Sequence, residues 1–370
     1  MEKIKINGTQ MFMLVVLFEM GSAIVVGIAA SAKQDAWISI MLGMAAGVLL
    51  FFVYNRLYQF YPDLPLTSYA QKITGKWIGR IIVFLYVIYF IYDASRVLRD
   101  FSELLTTTMY TNTPQLVLNS LMILIIMYAI KMGFEVIART AQLYFGFIYL
   151  VAIAGFLLIL MSGILHLENL RPVLENGWKP VLKNFVGQTL VFPFGEMVVF
   201  TMLLPYLNEP KKAKRVCIGG IVLSGVNIAI TIVFNIAALG MELFIRSPFP
   251  LLATIGKIQV ADFIERLDVF FMLYVVIGIF FKVTILYSAA VIGVVDIFNL
   301  KNKSNIVFPI GLIILFSSIA IASNFTEHIK EGFAFVSIYL AWPLQIIMPV
   351  LLMILAIFQN RKKKSSISTP

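Results

Sequence analysis

The chain has 370 residues, 60% of them hydrophobic and only 13% charged, with a formal net charge of +10. No soluble core absorbs that much apolar surface, and continuous apolar runs such as 81–91, 312–322 and 346–358 lie in stretches near the roughly 20 residues that span hydrocarbon. An all-α polytopic membrane protein is therefore expected, whereas a β-barrel is excluded because its strands alternate apolar and polar residues over roughly ten positions.

About ten spans fit the apolar runs and the loop punctuation. The first covers 10–30 and the second 36–54, joined by a polar turn at 31–35. A cytoplasmic loop with Pro62, Pro65 and Gly75 follows. The third span starts near Trp77, and its helical pattern continues beyond Asp93 into 97–110. The fourth covers 114–130 and the fifth 135–162. The segment 164–184 mixes Leu, Pro172 and Trp178 with charges and is expected to lie on the exterior membrane surface. The sixth span covers 185–204, and Pro205 and Pro210 end it. The seventh covers 216–239, and a second exterior segment, 246–260, with Pro248, Pro250 and Gly256, is expected to fold as a cap. The eighth covers 262–298, the ninth 306–322 and the tenth 333–358, before a charged tail at 361–370 that is expected to be disordered. One transmembrane domain of five plus five spans results, with repeat one at about 10–162 and repeat two at about 185–358.

The positive charge would suggest nucleic acid in a soluble protein, but its placement points elsewhere. Lys3, Lys5, Arg56, Lys72, Lys76, Arg80, Lys131, Arg139, Lys211, Lys212, Lys214, Arg215, Lys301, Lys303 and the run 361–364 fall in alternate loops. The remaining loops, with Lys33, Arg96, Arg99, Arg171, Arg246 and Lys330, carry about half as many, which puts both termini in the cytoplasm by the positive-inside rule. No nucleic-acid partner is expected; the partner implied by composition is the lipid bilayer. The lone Cys217 excludes an internal disulfide framework. The first apolar segment lacks a small-residue cleavage site and is followed at once by another span, so it is expected to be a retained span rather than a cleaved leader.

Two spans are interrupted near their middle. The first reads Phe18, Glu19, Met20, Gly21, Ser22, Ala23; the second reads Phe192, Pro193, Phe194, Gly195, Glu196. Unwound backbone is tolerated in a membrane only where protein or a polar cavity satisfies the freed amides and carbonyls. Breaks in corresponding places of two halves point to an inverted repeat with its ligand near the bilayer midplane. Glu19 precedes its glycine and Glu196 follows its own. Because the two spans run in opposite directions, both acids are expected just cytoplasmic of the breaks, offset by about 1.5 to 3 Å along the axis.

A charge at a helix centre costs roughly 2.5 to 3.5 kcal/mol, so Glu19, Glu196 and Lys282 call for a role. Ligand contact, proton carriage and a pair between Glu196 and Lys282 are one reading; protonated carboxyls that only join helices are the other. Tyr86, Tyr89 and Tyr92 share a face of the third span beside Asp93, either as hydrogen-bond handles over a ligand or as an aromatic packing face. Gly278, one turn before Lys282, and the set Gly219, Gly220 and Gly225 read as close helix contacts. No enzyme is expected: His166 and His328 lie in exterior loops without metal-ligand spacing, one cysteine builds no zinc site, and there is no phosphate-cradling glycine loop. No catalytic residue, metal or cofactor is assigned.

Three blocks carry a family resemblance. Gly21, Ser22 and Ala23 followed by Ala32, Lys33, Gln34, Asp35, Ala36 and Trp37, the exterior motif Asn169, Leu170, Arg171, Pro172, Val173, Leu174, and Phe263, Ile264, Glu265, Arg266, Leu267, Asp268 resemble the endospore germination permeases, the B subunits of spore nutrient-germinant receptors. Gly75, Lys76, Trp77, Ile78 and Gly79 match more weakly. The blocks fall in the family's order along essentially the whole chain. The family is similar in turn to the amino acid, polyamine and organocation transporters, which implies a LeuT-like five-plus-five fold with broken first and sixth helices.

The resemblance further implies a nutrient sensor of the spore inner membrane, assembled with an A subunit and a lipoprotein C subunit, in which a small germinant, typically an amino acid, initiates germination. It maps the ligand site onto Gly21, Ser22, Ala23, Phe192, Pro193, Phe194, Gly195 and Glu196; Glu19, Lys282 and Tyr89 are charge or gating candidates on their own chemistry and placement. A sensor needs only differential affinity between two conformations. The alternative, a proton-coupled amino acid permease, must also complete alternating access; a scaffold that merely anchors the partner subunits would bind no ligand.

Overall fold

A computed structural model describes residues 5–258 and 267–367. In chain order the α-helices are α1 (Gly8–Met20), α2 (Ala36–Phe60), α3 (Leu66–Thr74), α4 (Lys76–Thr108), α5 (Gln115–Met132), α6 (Phe134–Met161), α7 (Trp178–Asn184), α8 (Ala213–Arg246), α9 (Pro250–Ile255), α10 (Leu267–Phe298), α11 (Ser304–Ala320), α12 (Phe325–Glu331) and α13 (Met348–Ile367). Among the described residues, eight helical stretches are long and apolar enough to cross a membrane, and the shorter apolar α1 and α11 bring the spans to ten. The family-like block at 263–266, the end of the cap at 259–260 and the last residues of the tail, 368–370, lie outside the described residues.

Local chemistry sets the helix ends. Asn7 and Gln10 form a capping box at the start of α1: the Gln10 amide donates to Asn7 Oδ1 at 2.8 Å and the Asn7 amide to Gln10 Oε1 at 3.0 Å, satisfying amides that the first turn leaves orphaned. Gly75 and Gly133, at φ +83° and +102°, are each the single residue between two helices, α3 to α4 and α5 to α6; that backbone region favours glycine. Just before α1, Ile6 makes an isolated parallel bridge to Leu207, donating to the Tyr206 carbonyl at 2.8 Å and accepting from the Asn208 amide at 2.9 Å. The start of the first span and the end of the sixth are thereby tied.

Glycines let the helices approach closely. A Cβ on Gly220 of α8 would lie 2.5 Å from Val15 of α1, and one on Gly225 would lie 2.5 Å from Met44 of α2. On α2, Gly43 and Gly47 face Thr189 and Phe194 of the sixth span in the same way. By contrast α6 is largely exposed, and a Cβ on its Gly146 would meet nothing within 4 Å. Gly220→Leu is therefore expected to lower the thermal midpoint by pushing α8 off α1, at a cost of roughly 1–3 kcal/mol, whereas Gly146→Leu leaves it unchanged; melting of the two purified variants distinguishes them.

Several local expectations change. The loop at 62–75 contains α3, whose Leu66, Tyr69, Ala70 and Ile73 are buried. The helical stretch that contains the sixth span begins at Trp178 rather than 185, with Trp178, Lys179, Leu182 and Lys183 exposed on its first turns. The preceding stretch is a strap. His166 donates its amide to the Ala237 carbonyl at 3.0 Å, Asn169 Nδ2 donates to the same carbonyl at 2.9 Å, and Gln34 Nε2 donates to the Pro172 carbonyl at 3.1 Å. His328 is not a loop residue but sits buried on α12, and Arg96 and Arg99 are buried on α4 rather than exposed in a loop.

Candidate functional site

The first span stops being helical at Met20. Gly21 takes φ −37° and ψ −80°, and irregular turns lead to a 3-10 segment at Ala30–Asp35. Corresponding irregularity in the sixth span comprises a π-helical turn at Phe185–Thr189, a turn through 190–193 and a 3-10 stretch at Phe194–Met202. Polar side chains knit the two breaks. Gln188 Oε1 accepts from the Ala29 amide at 3.2 Å and from Asn184 Nδ2 at 2.8 Å, while Ser39 of α2 donates to Asn184 Oδ1 at 2.6 Å. The Ala29 amide, freed by the first break, is thus satisfied within the protein, the condition under which a membrane tolerates unwound backbone.

Lys282 of α10 stands between the breaks. It is completely buried, and its ammonium donates to Glu196 Oε2 at 2.5 Å while lying 5.1 Å from the centre of the Phe18 ring and 4.6 Å from that of Phe192. The close approach depends on glycine: a Cβ on Gly21 would lie 3.0 Å from the Gly278 carbonyl oxygen and 3.0 Å from Lys282 Cβ. Glu19 is also buried, within electrostatic reach of Lys282 and Glu196, and neither of its carboxyl oxygens has a hydrogen-bond partner among the described residues. Lys282 is thus bonded to Glu196 and within electrostatic reach of Glu19 and Asp93.

Beside this pair lies a cavity of about 70 Å³. Ser22 of the first break, Phe192 and Glu196 of the second, Tyr89 and Asp93 of α4, and Gln345 of the π-helical segment Gly332–Ile347 face it. Tyr89 accepts from Gln345 Nε2 at 2.6 Å, and Tyr86, one turn earlier, donates to the Leu344 carbonyl at 2.6 Å. The tyrosine stripe is thus both a packing face and, at Tyr89, a cavity wall. On the side toward the start of α1 the cavity is backed by packed aromatics: Phe18 meets Phe200 edge-on with ring centres 5.3 Å apart, and Tyr54 donates to the Gln345 carbonyl at 2.6 Å.

Toward the C-terminal end of α4 an ionic rim closes over the cavity. Arg96 donates to the His328 carbonyl at 2.5 Å and lies 3.6 Å from Glu331, while His328 Nε2 and Asp100 Oδ1 are 2.8 Å apart. These contacts hold α12 against α4. Arg96→Gln removes a charge-assisted bond worth roughly 1.5–3 kcal/mol, so amide hydrogen exchange across 325–331 is expected to accelerate by about tenfold or more; unchanged exchange there would remove Arg96 as the clamp.

Of the residues singled out in sequence, Ser22, Tyr89, Phe192 and Glu196 share the cavity; Gly21 and Lys282 stand behind it. Ala23, Pro193 and Phe194 are buried in packing, and Gly195 lies under Gln345. Sequence reasoning missed Arg96, Asp100, His328, Ser337 and Gln345. Asp93, Arg96 and Asp100 recur at helical spacing in an apolar helix, a signal that points to one functional face. A larger cavity of about 290 Å³ lies on the other side of the first break, between Met20, Ile24, Tyr149, Asn227 and Tyr274. No charged side chain among the described residues lines it; its polar groups are those of Tyr149, Asn227, Thr231 and Tyr274.

Known proteins with this arrangement bear on what it is. The family model described as spore germination protein matches residues 5–326. The chain belongs to that family. It is similar to spore germination protein KB of Bacillus subtilis (strain 168), 42% identical with 99% of this chain and 98% of that protein covered. It is also similar to spore germination protein YndE of the same organism, 29% identical over 90% of each. Among solved structures, the nucleobase-cation-symport-1 transporter Mhp1, closed around bromovinylhydantoin, superposes with TM-score 0.68 at 12% identity, covering 90% of this chain and 75% of that one. MhsT in complex with L-phenylalanine gives TM-score 0.67 at 12% identity, covering 95% and 88%. At that identity the likeness concerns the fold, a LeuT-like five-plus-five arrangement whose first and sixth helices are broken. The family is one of permease-like membrane proteins rather than enzymes.

Proposed function

We propose that the chain is a germinant-receptor subunit that binds a small nutrient in the cavity between the two breaks and triggers germination by a change of conformation. The observation that carries this reading is the cavity itself. It joins Ser22 and Glu196 of the two unwound segments to Tyr89, Asp93 and Gln345, with packed aromatics on one side and the Arg96 and His328 rim on the other. A site with one packed face and one face closed by ionic contacts is suited to two-state sensing, because a ligand that stabilises either rim position shifts the equilibrium by its differential affinity. An amino acid is the preferred ligand class, in keeping with the half-helix ends and with what MhsT holds.

In this reading the chain works as one transmembrane domain, with repeats at 10–162 and 185–358. It lies in the spore inner membrane with both termini cytoplasmic, beside a receptor A subunit and a lipoprotein C subunit. The placement of Arg96 and Arg99 inside α4 sharpens the loop-charge asymmetry behind that orientation, since neither counts as an exterior loop charge. Spores lacking only this gene, tested against a panel of amino acids and sugars, are expected to lose at least one nutrient response; retention of every response in a strain without redundant receptors overturns the reading. A proton-coupled permease is the second reading, supported by the orphaned Glu19 carboxyl beside Lys282. Sustained uptake of labelled amino acid into liposomes holding the purified chain, driven by a proton gradient, would establish it.

A further inference from the structure

The tenth span is wound in two ways. Sixteen of its residues, Gly332–Ile347, form a π-helix, and α13 continues from Met348 as an α-helix. π winding ordinarily occurs as a single turn inside an α-helix, often at a functional site. A stretch of this length needs something that holds it.

The holder lies at the boundary between the two windings. An α-helix joins each amide to the carbonyl four residues back, and a π-helix joins it to the one five back. Where π winding gives way to α, one carbonyl is therefore passed over. Met348 still donates to the Pro343 carbonyl, in the π pattern. The next residue, Pro349, has no amide to donate, so the carbonyls of Leu344 and Gln345 are both left over. Tyr86 of α4 donates to the first at 2.6 Å, and Tyr54 of α2 donates to the second at 2.6 Å. Pro343 withholds one donor under either winding and does not discriminate between them.

The two tyrosines are not equivalent. If α winding extended back through Met348, the Met348 amide would turn to the Leu344 carbonyl and take the place of Tyr86. Gln345 would still stand four residues before Pro349 and still need Tyr54. The Tyr86 hydroxyl thus serves the π form alone, whereas the Tyr54 hydroxyl serves both.

Winding also decides which residues wall the cavity between the breaks. Gly332, Val336, Ala341 and Gln345 line it at steps of four to five residues, while Ile338 and Tyr339 are 53% and 64% exposed away from it. With Gln345 held by Tyr54, α spacing would bring positions 341, 338 and 334 onto the cavity face and turn Gly332 and Val336 away. Tyr339 stays outside under either winding.

We propose that Tyr86 is the latch of a winding switch in the tenth span: with its hydroxyl on Leu344 the segment is π, and on release it rewinds toward α and exchanges Val336 for Ile338 in the cavity wall. Any occupant that prefers one wall then shifts the winding by its differential affinity. The switch goes beyond the nutrient reading, since it holds whatever the cavity accepts.

The test uses the purified full chain in lipid bilayers, with a nitroxide attached at Ile338→Cys or Tyr339→Cys; Cys217 is buried away from the reagent. Each label is placed in the parent, in Tyr86→Phe and in Tyr54→Phe, its exposure to dissolved oxygen is read by electron paramagnetic resonance, and the unlabelled chains are melted. In the parent both labels are expected to be exposed. Tyr86→Phe is expected to lose the exposure at 338 and keep it at 339. Tyr54→Phe is expected to keep both and to melt below Tyr86→Phe, because no winding of the backbone replaces its hydroxyl. If the label at 338 stays exposed in Tyr86→Phe, the latch is overturned. It is overturned equally if Tyr86→Phe fails to fold or melts at or below Tyr54→Phe, since the Met348 amide would then not have taken over from the lost hydroxyl.

Discussion

Lys282→Met is expected to be the most damaging single substitution in this chain. The ammonium is buried between the two breaks, bonded to Glu196 at 2.5 Å, flanked by the Phe18 and Phe192 rings, and within reach of the orphaned Glu19 carboxyl. Removing one partner of a buried pair leaves an uncompensated charge, typically a loss of roughly 3–5 kcal/mol. Here two carboxyl groups lose their common cation, so the cost of Lys282→Met should exceed that of Glu196→Gln or Glu19→Gln, each of which leaves the lysine one acid. Methionine preserves the packing of the long stem, which isolates the charge. The double variant Glu196→Gln with Lys282→Met is expected to melt above Lys282→Met alone, because it removes the stranded acid as well. Thermal unfolding of the four purified variants checks the order; a Lys282→Met protein that melts with the parent would show that the pair holds nothing together.

Gly278→Leu is the second large effect expected, for a steric rather than an electrostatic reason. A Cβ at that position would lie 3.2 Å from Gly21 Cα, and one at Gly21 would meet both the Gly278 carbonyl and the Lys282 stem. Backbone cannot give way as a flexible side chain does, so a branched group there must lift α10 away from the first break. Overpacking of this kind costs roughly 1–3 kcal/mol, and it also separates Lys282 from Glu196. The nutrient response is therefore expected to disappear at Gly278→Leu and to be weakened at Gly278→Ala. Full response from spores carrying Gly278→Leu at normal abundance would mean that the contact between α10 and the break is incidental.

The spans were readable because continuous apolar sequence has few alternatives in a membrane, and the breaks because glycine and proline interrupt it beside a charge. What escaped had tertiary causes. The helix α3 has only nine residues, too short to announce itself by pattern, and is held by packing of its buried face. The start of the sixth span was obscured by Lys179, Pro180 and Lys183. Arg96 and Arg99 resembled loop charges because α4 has 33 residues, about 50 Å at ordinary helical rise and so longer than the hydrocarbon needs. His328 meets Asp100 across 228 positions of sequence, a pairing that no local pattern encodes. Glu19, Glu196 and Lys282 were all legible as costly charges, but that Lys282 is bonded to Glu196 and within electrostatic reach of Glu19 follows only from the tertiary arrangement.

The most direct test of the nutrient cavity is protection of a thiol placed in its wall. Ser337 lines the cavity and Ser304 is exposed at the start of α11, so Ser337→Cys and Ser304→Cys provide a site and a control, with Cys217 buried away from reagent. The rate of modification by a small methanethiosulfonate is measured with and without the nutrient that triggers germination through this receptor. Slowing at Ser337→Cys by about a hundredfold, with no change at Ser304→Cys, is the predicted result, since a ligand at 100 times its dissociation constant leaves about 1% of sites open. Equal rates at Ser337→Cys with and without saturating nutrient would contradict a ligand seated between the two broken helices.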